Sequence, residues 1–371
     1  WPYWSQKPRL IMRREHAIRV GELNFAFRKF RRTLLKRWYE FRARRAGKCF
    51  ACNALAGNSA YSICVNSDMT VSCNCQDYDG LGQIGDLTKE TFEAIFDGPA
   101  ARGFRHELAE GRLPIWTCTR CMELKRVPRR EAQAWETNYQ PARHGLMVEN
   151  TSLCNLQCVD CARKTVMRHR RKPRLSLDDM RVVADIVKRR NIALVCYFNL
   201  GEPFMSPDIL EEMRILRAAA PAARIVTSTN GVPLNTAAKR EAALLFDNIV
   251  FSIDGMSGAT MTPYQCAGNF QKSYDNMRAL VEFRNARGSG RPFIEWKYLI
   301  FNWNDRERFL RRAIELAKAA RVDAISFQPT FYPFYGISWR YWINNRFFRN
   351  LGPKSEKSMT PGLCLDVAKL P

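Results

Sequence analysis

A chain of 371 residues, 46% of them hydrophobic, can bury a substantial core in two or three units, and no apolar run approaches the ~20 residues a membrane-spanning helix needs. The net charge of +23 is uneven: residues 1–48 hold 15 Lys/Arg against 3 Asp/Glu, so the field that draws nucleic acid, anionic lipid or an acidic partner is largely N-terminal. Thirteen cysteines with no export pattern speak against a disulfide scaffold and for iron-sulfur or zinc in a reducing compartment, so the expected location is cytoplasmic.

The first segment, residues 1–48, contains an amphipathic basic helix. From Leu23 to Phe41 the apolar residues Leu23, Phe27, Phe30, Leu34, Trp38 and Phe41 recur at steps of three and four, with Arg28, Lys29, Arg31, Arg32, Lys36 and Arg37 between them. The apolar face is expected to pack on the rest of the protein. An anionic membrane surface or an acidic partner is the alternative use.

Residues 49–124 shift to small residues, turns and cysteines, among them Cys49, Cys52, Cys64, Cys73, Cys75, Cys118 and Cys121. Ser62–Cys73 alternates around a turn at Ser67-Asp68 and predicts a hairpin, while Lys89–Phe96 and Ala100–Glu110 predict helices. So small a unit lacks core and is expected to need a metal staple.

Residues 144–330 alternate β-rich runs with helical segments. The predicted strands are Leu146–Asn150, Leu194–Leu200, Arg224–Ser228, Asn248–Ile253, Phe293–Ile300 and Ala324–Gln328. At ~31 residues per strand–helix unit, the expected fold is α/β, a partial (β/α)6 TIM-type barrel. Residues 331–371 follow as an extension whose aromatic residues, Phe331 to Trp342, are expected to close the open barrel by packing rather than to line a pocket.

Directly after the first predicted strand, Cys154, Cys158 and Cys161 fall on one loop. Three thiolates can hold three irons of a cubane cluster and leave one iron open, whereas a zinc knuckle would need a fourth ligand from elsewhere. Gly201-Glu202, Ser228-Thr229-Asn230 and Ser252-Ile253-Asp254 also stand at the carboxyl ends of predicted strands, where barrel enzymes assemble their sites.

The C-x3-C-x2-C loop, followed in order by Leu200-Gly201-Glu202-Pro203, Ser228-Thr229-Asn230-Gly231 and Ser252-Ile253-Asp254-Gly255, resembles the radical S-adenosylmethionine (SAM) superfamily. The resemblance implies a catalytic 4Fe-4S cluster on Cys154, Cys158 and Cys161. It also implies SAM held by Gly201, Glu202, Ser228, Asn230, Ser252 and Asp254. Leu200 stands where the family has a first Gly, Asp160 where it has an aromatic residue and Gln265 where many members have Arg. The implied chemistry is reductive cleavage of SAM to a 5′-deoxyadenosyl radical that takes hydrogen from a peptide or small metabolite. A flavodoxin- or ferredoxin-type electron donor is the implied partner.

Cys52, Cys73, Cys118 and Cys121, with Cys49 and Cys75 as alternates, resemble the ligands of a SPASM domain, an auxiliary iron-sulfur module. Here that module precedes the barrel. A structural zinc ribbon is the competing reading. Pro361-Gly362-Leu363-Cys364-Leu365 resembles the start of a second such module, so a chain that opens on Trp1 and ends shortly after Cys364 is expected to be a piece of a longer one. Two alternatives remain open at this point: an RNA-modifying enzyme of the same class, although nucleic acid is not the expected partner, and a zinc-stabilised binding module without catalysis.

Overall fold

The computed structural model describes residues 30–343, 352–355 and 363–370. Leu23 and Phe27 of the predicted helix lie outside them. Residues 30–45 are helical (α1) and lead into strand β1, Lys48–Cys52. The hairpin stands where the alternation placed it, with β2 at Cys64–Val65 and β3 at Thr70–Ser72, joined through Met69 in the left-handed conformation. Strand β4, Gln83–Asp86, adds to its far side. Helix α2, Phe92–Asp97, starts at the Thr91 cap, and α3, Pro99–Ala109, starts on Pro99, whose fixed φ suits a first helical turn. Strand β5, Leu124–Pro128, pairs antiparallel with β1, and α4 follows over Arg129–Thr137.

The barrel units then run in order. Their strands are β6 Gly145–Val148, β7 Leu194–Cys196, β8 Arg224–Thr229, β9 Asn248–Ser252, β10 Phe293–Ile300 and β11 Ala324–Pro329, each parallel to the next. The intervening helices are α5 Arg163–His169, α6 Leu177–Arg189, α7 Ile209–Ala219, α8 Ala237–Ala243, α9 Gly258–Met261, α10 Phe270–Ala286 and α11 Glu307–Ala320. Side-chain caps fix several starts, including the reciprocal Ser176/Asp179 box of α6 and Asn269 at α10. Helix α12, Trp339–Ile343, and strand β12, Leu363–Asp366, complete the described chain.

Among the described residues the main sheet has ten strands in the order β12-β11-β10-β9-β8-β7-β6-β2-β3-β4. The six predicted strands are its centre, and the mixed sheet is consistent with a partial barrel. Four further strands extend it. β2 pairs parallel with β6, so the cysteine-rich segment continues the barrel sheet instead of standing beside it. Gly145 makes this join possible, because a Cβ there would lie 1.4 Å from the Ala60 carbonyl oxygen. The Arg120 guanidinium, in the turn before β5, lies 5.5 Å from the centroid of the Tyr332 ring, which follows β11.

A buried polar knot also fastens the hairpin to the barrel. Arg170 donates to Glu149 Oε1 at 2.7 Å and to Asn66 Oδ1 at 2.8 Å, and the Ser67 backbone N–H donates to the same Glu149 oxygen at 3.2 Å. Both charged side chains are nearly inaccessible.

Two packing expectations are corrected. The helix α1 turns Phe30, Leu34, Trp38 and Phe41 outward and packs through its opposite side, around Ala43. A hydrophobic stripe records which face is apolar, not which face meets a neighbour. Likewise Phe331, Tyr332, Phe334, Tyr335, Trp339 and Trp342 remain exposed and do not plug the barrel; Phe331 stacks on Trp342 with centroids 5.0 Å apart, and Phe334 meets Trp339 edge-on.

Candidate functional site

The loop after β6 carries the cysteine triplet, all three partly exposed. Backbone bonds brace it on several sides. The Ser152 N–H donates to Pro173 O at 2.8 Å, Gln157 N–H to Cys266 O at 2.9 Å and Val159 N–H to Tyr264 O at 3.0 Å. Beyond β7, the Glu202 N–H donates to Leu153 O at 2.7 Å. Gly201 is needed for that approach: a Cβ there would stand 1.8 Å from Thr151 O. Its lack of a side chain therefore serves loop-to-loop contact with the cysteine segment, where sequence reasoning assigned it to contact with a ligand.

Of the residues named from the strand ends, Gly201, Glu202 and Asn230 touch the cysteine loop, and Ser228, Ser252 and Asp254 stand at the adjoining ends of β8 and β9, which form one rim. Glu202 is buried, accepting from Thr229 Oγ1 and the Asn230 N–H, each at 2.7 Å. Burial raises its carboxyl to about 7, partly offset by those bonds. Asn230 donates to Asn155 Oδ1 at 3.0 Å and to Cys154 Sγ at 3.8 Å, tying the β8 end to the cysteine loop. Ser228 and Ser252 hydroxyls lie 3.3 Å apart on neighbouring strands. Asp254, also buried, accepts from the Leu299 N–H at 3.0 Å, and burial raises it to about 6.

Sequence reasoning missed Gln265 as a brace. Its Oε1 accepts from the Asp254 N–H at 3.0 Å and its Nε2 donates to Ser252 O at 2.9 Å, so one amide fixes two rim residues. No spacing pattern signals such a bond.

The thiols feel one another. Burial pushes Cys154 up to about 11 and Cys158 to about 12, with Glu202 adding to the first and Asp254, Cys161 and Cys154 to the second. Such a donor set fits a cationic iron cluster, whose charge would offset the burial, and the lesser repulsion, that oppose ionisation of these thiols. Among the described residues no three His, Cys, Asp or Glu side chains are already gathered at metal-holding separations, so the loop presents the thiols as neighbours and not as a closed cage.

A second thiol group lies in the cysteine-rich segment. Cys52 is raised by burial and then by Cys121 and Cys118, and Cys73 is raised by burial and then by Cys52 and Cys118. Cys118 and Cys121 are themselves raised, Cys118 to about 11. Cys49 is elsewhere, in an apolar cluster with Ala51, Ala109, Val127 and Ala132. Cys75 is divided: it is raised to about 11 by burial and then by Cys121, yet it also packs beside Cys64 and Cys196 on the row Cys64-Met147-Cys196 across the sheet.

Residues 148–294 match the family described as the Radical SAM superfamily. The chain carries a radical SAM domain. It is therefore an enzyme, its reaction left open, and the non-catalytic binding module is set aside. The family implies a 4Fe-4S cluster and SAM. No protein of curated function matches the chain.

The radical SAM domain has similar solved structures. One is native anSMEcpe with bound AdoMet and Cp18Cys peptide, at 15% identity and TM-score 0.42 over 56% of this chain and 58% of that one. Another is the radical S-adenosylmethionine methyltransferase TsrM from Kitasatospora setae, with tryptophan substrate and a SAM analogue bound, at 13% identity and TM-score 0.39 over 55% of this chain and 38% of that one. A third is methylornithine synthase (PylB), at 11% identity and TM-score 0.36 over 50% of this chain and 52% of that one. The chain spans about half the length of the first solved structures it matches.

Proposed function

We propose that Cys154, Cys158 and Cys161 hold the catalytic 4Fe-4S cluster, and that the chain cleaves SAM reductively to act on a peptide or small metabolite. The observation that carries this reading is the triplet's place, on one braced loop at the same rim as Glu202, Asn230, Ser252 and Asp254. When bound, the cluster supplies one electron to the sulfonium, whose S–C5′ bond breaks to methionine and a 5′-deoxyadenosyl radical that takes a substrate hydrogen.

The chain's own residues bind and orient. Cys154, Cys158 and Cys161 would supply the three thiolates that hold the cluster and would leave it open to SAM. Gly201 and Glu202 lie against the cysteine loop where the methionine end would sit, and Glu202 has both oxygens engaged by Thr229, Phe204 and Asn230, which fixes its orientation. Ser228 and Asn230, with Ser252 and Asp254, would meet the ribose and carboxylate. Gln265 holds the latter pair in place.

Cys52, Cys73, Cys118 and Cys121 are proposed to hold the auxiliary iron-sulfur cluster of a SPASM-like module, with a flavodoxin- or ferredoxin-type protein as electron donor in the cytoplasm. Support comes from the mutual influence of these thiols, with Cys52, Cys73 and the neighbouring pair Cys118 and Cys121 drawn from three separate segments. Metal analysis separates this from zinc.

The test is anaerobic. Reconstituted, reduced protein given SAM should release 5′-deoxyadenosine, and Cys158→Ala should not; equal product from parent and variant, or none from a well-reconstituted parent, rejects the reading.

A further inference from the structure

The helix α1 is docked by one face and bare on the other. On the docked side Ala43 is buried, the Arg32 guanidinium lies 4.0 Å from the Trp116 ring centroid and 3.7 Å from Asp79, and Glu40 Oε1 accepts the Leu113 N–H at 2.9 Å. The other side carries Phe30, Leu34, Trp38 and Phe41, exposed by 61%, 48%, 50% and 54%. At ~100° per residue these four fall within an arc of about 80°, opposite Ala43 and Tyr39, and extend over ~16 Å of helix.

The charge around this stripe has one sign. Arg37 and Arg44 follow one border, Arg31 and Arg42 the other, and the Arg42 guanidinium rests 4.8 Å from the Trp38 ring centroid. Glu40, the one acid between residues 30 and 48, is on the docked side. Large aromatic and aliphatic side chains in line, edged by arginines, suit the boundary between anionic headgroups and acyl chains. Because the back of α1 is fixed to the folded body, a groove that engulfs a helix would collide with that body, whereas a flat surface reaches the whole stripe. Among the described residues no helix is long and apolar enough to cross a membrane, so the contact is one of lying on a surface.

We propose that α1 seats the protein on an anionic bilayer, with Phe30, Leu34, Trp38 and Phe41 entering the acyl boundary and Arg31, Arg37, Arg42 and Arg44 meeting lipid phosphates. The proposal is independent of the reaction performed at the barrel rim.

Flotation of the full chain with phosphatidylcholine vesicles, with or without about 30% phosphatidylserine, tests it. The parent should float with the anionic vesicles and bind neutral ones at least about tenfold more weakly. A Trp38→Ser/Phe41→Ser variant should lose about tenfold or more in affinity, and Arg31→Gln/Arg37→Gln/Arg44→Gln should lose the lipid preference, both with the parent's circular dichroism and iron content. Absence of vesicle binding overturns the proposal. So does binding that the Trp38/Phe41 variant retains in full, since net charge alone then explains it, and so does capture of an acidic protein or RNA without vesicles.

Discussion

The loop after β6 and the cysteine-rich segment both gather thiols, but they do so in opposite ways. The first places Cys154, Cys158 and Cys161 within one partly exposed loop, held by backbone bonds at a rim lined with polar groups. The second brings together Cys52 of β1, Cys73 after β3 and the neighbouring pair Cys118 and Cys121 from three distant segments, with Cys73 buried and its thiol driven by burial well above the ordinary value. A local, open set can leave a coordination position for a small molecule. A set that needs the fold to assemble it suits a closed site, one that stores electrons or staples structure.

Mutation should divide the two most sharply. Replacing Cys154, Cys158 and Cys161 together by Ala should remove about four irons and all SAM cleavage, whereas Cys118→Ala should spare cleavage and impair substrate conversion. Iron analysis with anaerobic chromatography of the products reads both, and unchanged iron in the triple variant would erase the distinction.

The knot that joins the regions gives the next effect. Arg170→Leu leaves Glu149 as an unpaired charge at a fully buried position, so denaturant titration should show a loss of about 3–5 kcal/mol. A loss under ~1 kcal/mol would mean that the hairpin and barrel are not fastened there.

Gly201→Ala acts on the rim alone. With Thr151 O at 1.8 Å from the added Cβ, the two loops must part, at a cost of about 1–3 kcal/mol, together with weaker SAM binding in equilibrium dialysis. Normal SAM affinity in this variant would deny the contact a role in the site.

pH sharpens the same point for the metal-free protein. Glu202 is raised from 4.5 to about 7 in the fold, so its contribution is fully present below about pH 4.5 and is lost as pH rises through about 7. Thermal melts should show the parent losing stability relative to Glu202→Gln across that window, and a relative gain would contradict the burial argument. The smallest effect is expected of Cys49→Ala, which should keep the full iron content and cost less than ~2 kcal/mol, because Cys49 packs in a separate apolar cluster.

Legibility in the sequence followed the range over which information acts. The six barrel strands could be read because β-rich runs alternated with helical ones; Phe293–Ile300 stands where it was predicted. Short edge strands such as Gln83–Asp86 and Leu363–Asp366 carry no period of their own, and the parallel pairing of Cys64–Val65 with Met147–Val148 joins distant residues that share no motif. The cysteine triplet was legible because its members are sequence neighbours. Gln265 was not, since its value lies in reaching Ser252 and Asp254 across a turn.

By itself the sequence determined the alternation that gives the central sheet, the thiols of one loop and the basic, amphipathic character of the first helix, since each is a local pattern of side chains. Only the tertiary structure decided between Cys49 and Cys52 as a neighbour of the distant thiols. Successive residues of β1 face opposite sides, so Cys49 and Ala51 enter one apolar cluster while Phe50 and Cys52 meet the main core beside Cys73 and Cys118. The same is true of α1, whose pattern is identical whether its apolar stripe faces protein or solvent. Which side it buries depends on surfaces such as Trp116 and Leu113, and folding alone brings these to it.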